Sequence, residues 1–213
     1  MKHLVIIGAR GYAREVYALA LKTKEYLNGE YDIKGFLDDN KSAFDGIVGD
    51  YPPILNSVEN YEIQRNDVFI CALGDSYFRK HYADIIEKKG GSFISLINPS
   101  AEINTTAQIG KGCIINSKSI IGSNVVIGDF VSIQSFDVIG HDVRVGNYVS
   151  IECYAFLGGF VSVGDMSTLH TRATIIPHKT IGNNVMVGVG SVVMRNFKDG
   201  VSVFGYPAKV FEI

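Results

Sequence analysis

Cysteine is scarce. Only Cys71, Cys113 and Cys153 occur in 213 residues, and no two stand in a C-x-x-C spacing. This argues against a disulfide framework or a thiolate zinc site and fits a reducing cytoplasm. Charge of one sign is not in excess either: 20 Lys and Arg face 22 Asp and Glu, and no basic run stands out. Neither a nucleic acid nor an anionic membrane is therefore an expected partner. No segment approaches the roughly 18 apolar residues that a bilayer span requires. The opening HLVIIG is too short for a signal h-region and has no small-residue cleavage site after it. A cytoplasmic protein without a membrane span is expected.

What the chain does have is a period. Every sixth residue from Ile97 to Val193 is Ile, Leu or Val, 17 positions out of 17. Gly follows at 110, 122, 128, 140, 146, 158, 164, 182 and 188, and Asn at 98, 104 and 116. Both types tolerate left-handed backbone, so these positions read as corners. Two places before each aliphatic the residue is small or Val, with Asp137 and Lys179 as exceptions. Cys113 falls in this column and reads as a small apolar packer. A period of six is neither helical nor that of one flat strand, so a short strand and a bend must repeat. Three hexads make one triangular coil, residues 18 apart stack, and each inward aliphatic contributes roughly 1.5 to 3 kcal/mol when fully buried.

Residues 1–96 follow another rule. A strand over 3–7, a tight turn at Gly8 to Gly11 and an amphipathic helix over 12–26, with Val16, Leu19, Ala20 and Leu27 on one face, open the segment. Strands over 31–37, 68–73 and 93–97 and a helix over 76–89 follow, and Asn98-Pro99 marks a boundary. The order argues for a small parallel sheet with helices on its faces. The expected organisation is a β-α-β domain at 1–96, a β-solenoid at 97–193, and a tail at 194–213 covering the solenoid end.

Five motifs carry a family likeness: Ile6-Ile7-Gly8-Ala9-Arg10-Gly11, Gly35-Phe36-Leu37-Asp38-Asp39, Asn98-Pro99, Gly140-His141-Asp142 and Gly205-Tyr206-Pro207-Ala208-Lys209. With the repeat array they resemble the bacterial hexapeptide-repeat sugar acetyltransferases, in the subfamily of sialic acid O-acetyltransferases and nucleotide-amino-sugar N-acetyltransferases. The resemblance implies a Rossmann-like α/β domain followed by a left-handed parallel β-helix. It further implies a homotrimer with active sites between subunits, coenzyme A as carrier of the acetyl group, and a place in polysaccharide biosynthesis.

Acetyl transfer needs a base near the nucleophile and a donor for the oxyanion, and His is the usual base near neutral pH. Of five histidines, His141 sits in the regular array directly after a corner Gly, and Asp142 can orient it. Counting 18 residues on reaches Gly159, whose missing side chain opens a backbone amide. The resemblance implies His141 as base, Asp142 as its partner where relatives often have Glu, and Gly159 beside the thioester. Ser150 stands where relatives have a second His that touches coenzyme A. Gly188 and Val189 match backbone positions of the cofactor groove, and Lys209 is a candidate for a cofactor phosphate. No Ser or Cys stands out as an acyl-carrying nucleophile, so direct attack is expected.

The Gly8-x-Arg10-Gly11 turn before a helix is a ready anion site. A dinucleotide fingerprint would need Gly where Arg10 stands, which turns the reading from NAD to a nucleotide-linked sugar. The resemblance places Arg10, Gly11 and Tyr12 near the diphosphate, Asp38 and Asp39 near base and ribose, and the Ala72-Leu73-Gly74-Asp75 turn at the pocket's edge; relatives often carry His at Tyr12. The expected acceptor is a UDP- or dTDP-linked 4-amino sugar. Alternatives are O-acetylation of free sialic acid and a non-catalytic nucleotide-sugar sensor. A zinc hydratase on the same β-helix is disfavoured because His170 and His178 have seven residues between them. No metal is expected.

Overall fold

The computed structural model describes residues 1–211. The chain divides into two compact units, residues 1–99 and residues 100 onward.

In the first unit, strands β1 (Lys2–Ile7), β2 (Tyr31–Leu37), β3 (Ile54–Asn56), β4 (Asp67–Cys71) and β5 (Ser92–Phe93) form a parallel sheet in the order β3-β2-β1-β4-β5. Leu4, Val5 and Ile6 of β1 and all of β4 are buried, as expected of central strands covered on both faces. Helix α1 spans Gly11–Ala20 and buries Ala13, Val16, Leu19 and Ala20. The single helix expected over 12–26 is in fact two. The Thr23 hydroxyl donates to the Ala20 carbonyl at 3.0 Å and accepts from the Tyr26 amide at 3.3 Å, ending one helix and capping the next, α2 (Lys24–Leu27). Leu27, counted on the apolar face, is consequently exposed. Helix α3 (Ser76–Lys88) is capped by Asp75, which accepts from the Tyr77 and Phe78 amides.

The second unit is a parallel β-solenoid with three faces. The first face stacks two-residue strands from Glu102–Ile103 to Val192–Val193, six in all. The second stacks five from Gln108–Ile109 to Thr180–Ile181. The third rises from Ile114–Ile115 to Met186–Val187 and continues into Ser202–Gly205, which pairs in parallel with Met186–Val187; Ala208–Val210 then turns back antiparallel. Pairing is 18 residues apart, as Ile121 with Ile139 and Ile139 with Leu157. The repeat aliphatics from 115 to 193 are buried. Of the expected tail over 194–213, residues 212 and 213 lie outside the described residues.

One expectation about the corners is corrected. Left-handed backbone does not fall on the Gly after each aliphatic but two residues later, at positions such as Lys118, Asn124, Phe136, Asp142, Tyr154 and Phe160. Glycine is needed for proximity instead: a Cβ on Gly140 would sit 2.9 Å from the Gly159 nitrogen of the next coil. Strain at the left-handed residues, roughly 1–2 kcal/mol each, is offset where their side chains stack on one another. Phe130 lies on Tyr148 at 4.9 Å, and Phe136 on Tyr154 at 5.0 Å.

Small polar residues in the inward column are satisfied across coils, as when the Ser119 hydroxyl donates to the Gln134 carbonyl at 2.6 Å. Asp137 fits less well. It is fully buried, Oδ1 accepts from the Ala155 amide at 2.8 Å, and Oδ2 has no hydrogen-bond partner. Burial pushes its carboxyl up to about 8, so the folded chain prefers it protonated. Because the folded value lies above the unfolded one, this stability is complete below about pH 4 and is lost as pH rises toward 8. Asp137→Asn should therefore raise the melting temperature most above pH 8, with the gain shrinking toward pH 5; a pH-independent difference in thermal melts would contradict the assignment.

Candidate functional site

Two places collect chemically useful groups, one in each unit. In the first unit a cavity of about 540 Å³ is lined by Gly8, Arg10, Asp38, Asp39, Gly74 and Asp75 of the expected residues, together with Phe78 and Tyr82. Gly8 has φ +96°, so the chain can leave β1 and turn sharply into α1. Gly11 and Tyr12 are the first residues of α1 and do not line this cavity.

The carboxylates have different jobs. Asp38 accepts from the Ala9 amide at 2.8 Å and from the Asn40 amide at 2.9 Å, tying the end of β2 to the turn after β1. Asp75 is occupied as the cap of α3. Asp39 is exposed at the same cavity, with no structural hydrogen bond of this kind. Buried Arg79 donates to the Leu73 carbonyl at 2.8 Å and the Gly74 carbonyl at 3.2 Å, setting the turn after β4. Phe78 and Tyr82 were missed in the sequence; their i, i+4 spacing on α3 is the signal that places both on one side. Burial, then the negative charges of Asp39, Glu59 and Asp38, holds the Tyr82 phenol above its ordinary value.

In the second unit the corner after the first face holds His141, Asp142, Gly159, Phe160 and His178. His141 Nδ1 lies 2.8 Å from the Asp142 carboxylate, which leaves Nε2 for other work. Asp142 also accepts from Asn124 at 3.3 Å, and its carboxyl is held below the ordinary value first by the His141 hydrogen bond. A Cβ on Gly159 would lie 2.7 Å from both Cε1 and Nε2 of His141, so the imidazole occupies the space this glycine leaves. The Phe160 ring meets His141 edge to face at 5.2 Å, and His178 stacks flat on Phe160 at 4.8 Å.

This corner differs from its neighbour in what its amides do. At the corner after the second face, Lys111, Asp129, Asn147, Asp165 and Asn183 form a ladder in which each backbone N–H donates to the side chain one coil above. The equivalent column at the His141 corner is Ser123, His141, Gly159 and Pro177. Above Gly159 stands Pro177, which offers no side-chain acceptor. The Gly159 amide thus has no partner among the described residues, and a free donor lies beside an imidazole.

The remaining expected residues are spread along the solenoid. Ser150 is nearly buried on the third face. The Gly188 amide donates to the Val203 carbonyl at 2.8 Å, so this residue presents surface rather than a free donor, and neighbouring Val189 is exposed. Lys209 lines a cavity of about 360 Å³ with Met194, Arg195, Pro207 and Ala208. Arg195 is a cation that sequence reading did not single out. Among the described residues no three His, Cys, Asp or Glu side chains are grouped to hold a metal ion, and no helix is long and apolar enough to cross a membrane.

Residues 3–86 match the PglD N-terminal domain. Over its full length the chain is similar to the acetyltransferase domain of PglB from Neisseria gonorrhoeae FA1090, with 28% identity, TM-score 0.87, and coverage of 99% of this chain and 100% of the other. It is similar to PerB from Caulobacter crescentus, solved in complex with CoA and GDP-perosamine, with 27% identity, TM-score 0.88, and coverage of 100% and 98%. Over its whole length the chain is thus similar in fold and sequence to sugar acetyltransferases. It is also 32% identical over 118 residues to the UDP-N-acetylbacillosamine N-acetyltransferase of Bacillus subtilis (strain 168), a match covering 54% of this chain. The matched stretch spans about half the length of that curated relative, 51%.

The division of labour among the carboxylates makes a prediction. Asp38→Ala removes two backbone contacts and should lower stability by about 1–3 kcal/mol, read as a fall in denaturation midpoint. Asp39→Asn should leave the midpoint within about 0.5 kcal/mol of wild type in the same measurement.

Proposed function

We propose that this chain transfers an acetyl group from acetyl-coenzyme A to an amino group of a nucleotide-linked sugar, with a UDP- or dTDP-linked 4-amino sugar as preferred acceptor. The observation that carries this reading is the His141 imidazole lying against Gly159, with Asp142 on one ring nitrogen and an unpartnered amide next to the other. The acceptor amine attacks the thioester carbonyl directly. His141 Nε2 takes the proton released as the C–N bond forms, and Asp142 stabilises the imidazolium. The Gly159 amide donates to the oxygen that becomes negative in the tetrahedral intermediate. A hydroxyl acceptor would use the same groups.

Nucleotide recognition is assigned to the first unit's cavity. Its volume lies in the range of small-molecule sites, and Arg10 and the start of α1 suit a diphosphate. Phe78 offers an aromatic face and Asp39 a free acceptor to a base or ribose. The relative from Caulobacter crescentus is named with CoA and GDP-perosamine and the one from Bacillus subtilis as a UDP-sugar N-acetyltransferase, which supports this ligand class without choosing the nucleotide. Lys209, together with the Gly188 and Val189 surface, is assigned to the far end of coenzyme A.

The working form is proposed to be a homotrimer with sites shared between copies. Outward residues of the first face are Glu102 at its first strand and then Ile120, Val138, Phe156, Thr174 and Val192, and Ile120 and Phe156 remain 43% and 42% exposed. The second face presents Gln108, Val126, Arg144, Ser162 and Thr180, only one of them apolar. An apolar face of this kind calls for cover.

Thiol release from acetyl-coenzyme A with UDP-, dTDP- and GDP-linked amino sugars and free sialic acid tests the activity; a UDP- or dTDP-linked amino sugar should give the highest rate. His141→Ala should reduce turnover by about 10²- to 10⁴-fold with an unchanged melting curve. Wild-type turnover in that variant would remove His141 from the mechanism.

A further inference from the structure

A second His and carboxylate pair stands at a different corner. His170 Nδ1 lies 3.1 Å from Glu152 Oε2, across one coil, and the Thr171 amide and hydroxyl both reach the same oxygen, at 3.2 and 3.3 Å. Thus Glu152 accepts two hydrogen bonds from Thr171 and lies at ion-pair distance from His170, whose Nε2 is left over, and the His170 and Glu152 side chains are partly exposed, at 30% and 39%. This pair sits at the corner before the first face, whereas His141 sits at the corner after it. The solenoid's first face separates them, so within one copy they cannot meet.

Three copies packed about a threefold axis through their first faces bring these two corners together, one from each neighbour. The corners are complementary. One carries Asn124, Asp142, Phe160 and His178 in its left-handed column; the other carries Lys118, Phe136, Tyr154 and Arg172. By residue number Phe160 then stands beside Tyr154 and Asp142 beside Phe136, with the cations Lys118 and Arg172 at the two ends of the facing column. With 18 residues per coil and coils about 4.8 Å apart, height along the axis follows residue number in every copy. His170 of one copy then stands about 3 Å above Gly159 of the next, on the side toward Gly188 and Lys209.

We propose that His170, oriented by Glu152 and supplied by the neighbouring copy, is the acid of each site. The proposal rests on the shared-crevice acetyltransferase reading above and adds a catalytic group to it. A donor with its carbonyl at Gly159 and its phosphates toward Lys209 carries its sulfur on the His170 side. As the tetrahedral intermediate collapses, the C–S bond breaks, and the sulfur keeps the electron pair and takes the Nε2 proton of His170. The amine proton goes to His141 of the other copy. Both imidazoles return to their starting states by proton exchange with water.

Complementation between copies tests this. His141→Ala and His170→Gln should each lower turnover by at least about 100-fold while trimer mass and melting curve stay those of wild type. Co-expressed with different tags and purified as mixed trimers, the two variants should recover about one third of wild-type activity, since each mixed trimer has one interface in three that carries both histidines. Glu152→Gln, which keeps the hydrogen bonds but not the charge, should fall between wild type and His170→Gln. A second readout needs no activity: in a Cys153→Ser background, Tyr154→Cys with Phe160→Cys should form disulfides between copies on oxidation. Wild-type turnover in His170→Gln, or mixed trimers as inactive as the single variants, overturns the assignment. Trimers that refuse the cross-link overturn the shared corner. An inert wild type would instead sink the acetyltransferase reading itself, while the cross-link would still report the packing.

Discussion

The solenoid depends on how closely one coil can lie on the next. Strands pair every 18 residues, and at two of the three corners the chain turns so near the coil above that a side chain at the turning residue would collide with backbone. Glycine is the solution at Gly128, Gly140 and Gly146, among others. Once the coils are that close, the inward aliphatics stack in continuous columns, and their burial supplies the main stabilisation. The left-handed residues that follow become tolerable because each is held from both sides. Its amide donates to the coil below, as Phe160 does to the His141 carbonyl at 3.0 Å, and its side chain stacks on its own column.

The same constraint makes the candidate site. In a regular coil stack the turn amides are satisfied by Asn and Asp side chains one coil up, as along Lys111, Asp129, Asn147 and Asp165. Where the column reads His141, Gly159, Pro177, that ladder is interrupted. The interruption frees an amide and opens room for an imidazole in one stroke. The third corner departs in another way, since Asn116, Gln134, Glu152 and His170 replace the close-approach glycine over four coils. Its polar side chains bond across coils instead, for instance Asn116 to Gln134 at 3.1 Å. The corners assigned to the candidate site are those that break the repeat's local rule.

Much of this was legible in the residues. The 17 aliphatics at a strict period announced a solenoid of 18-residue coils, and counting by 18 from His141 reached Gly159 because the winding has no insertions between them. The α/β character of the first unit followed from alternating strand and helix patterns, and the turns at Gly8 and Gly74 followed from punctuation. The break between α1 and α2 was not legible, because residues 12–26 keep helical spacing through Thr23; only the contacts of that hydroxyl with the Ala20 carbonyl and with Tyr31 Oη at 2.6 Å stop the helix. Nor was the roles' separation between Asp38 and Asp39. Adjacent identical residues carry identical local signals, and which one ties a loop depends on where Ala9 arrives.

By itself, then, the sequence determined the period, the inward columns, the strand order along the chain and the identity of the histidine beside its carboxylate, since these follow from spacing alone. Tertiary structure decided that left-handed angles fall on bulky residues rather than on glycines, that Asp137 is buried with one oxygen unpaired, and that Glu152 and His170 meet across a coil. The physical reason is the same in each case: spacing records which residues share a face, but a Cβ clash, a desolvated carboxylate or an orphaned amide exists only when a second coil has been laid against the first.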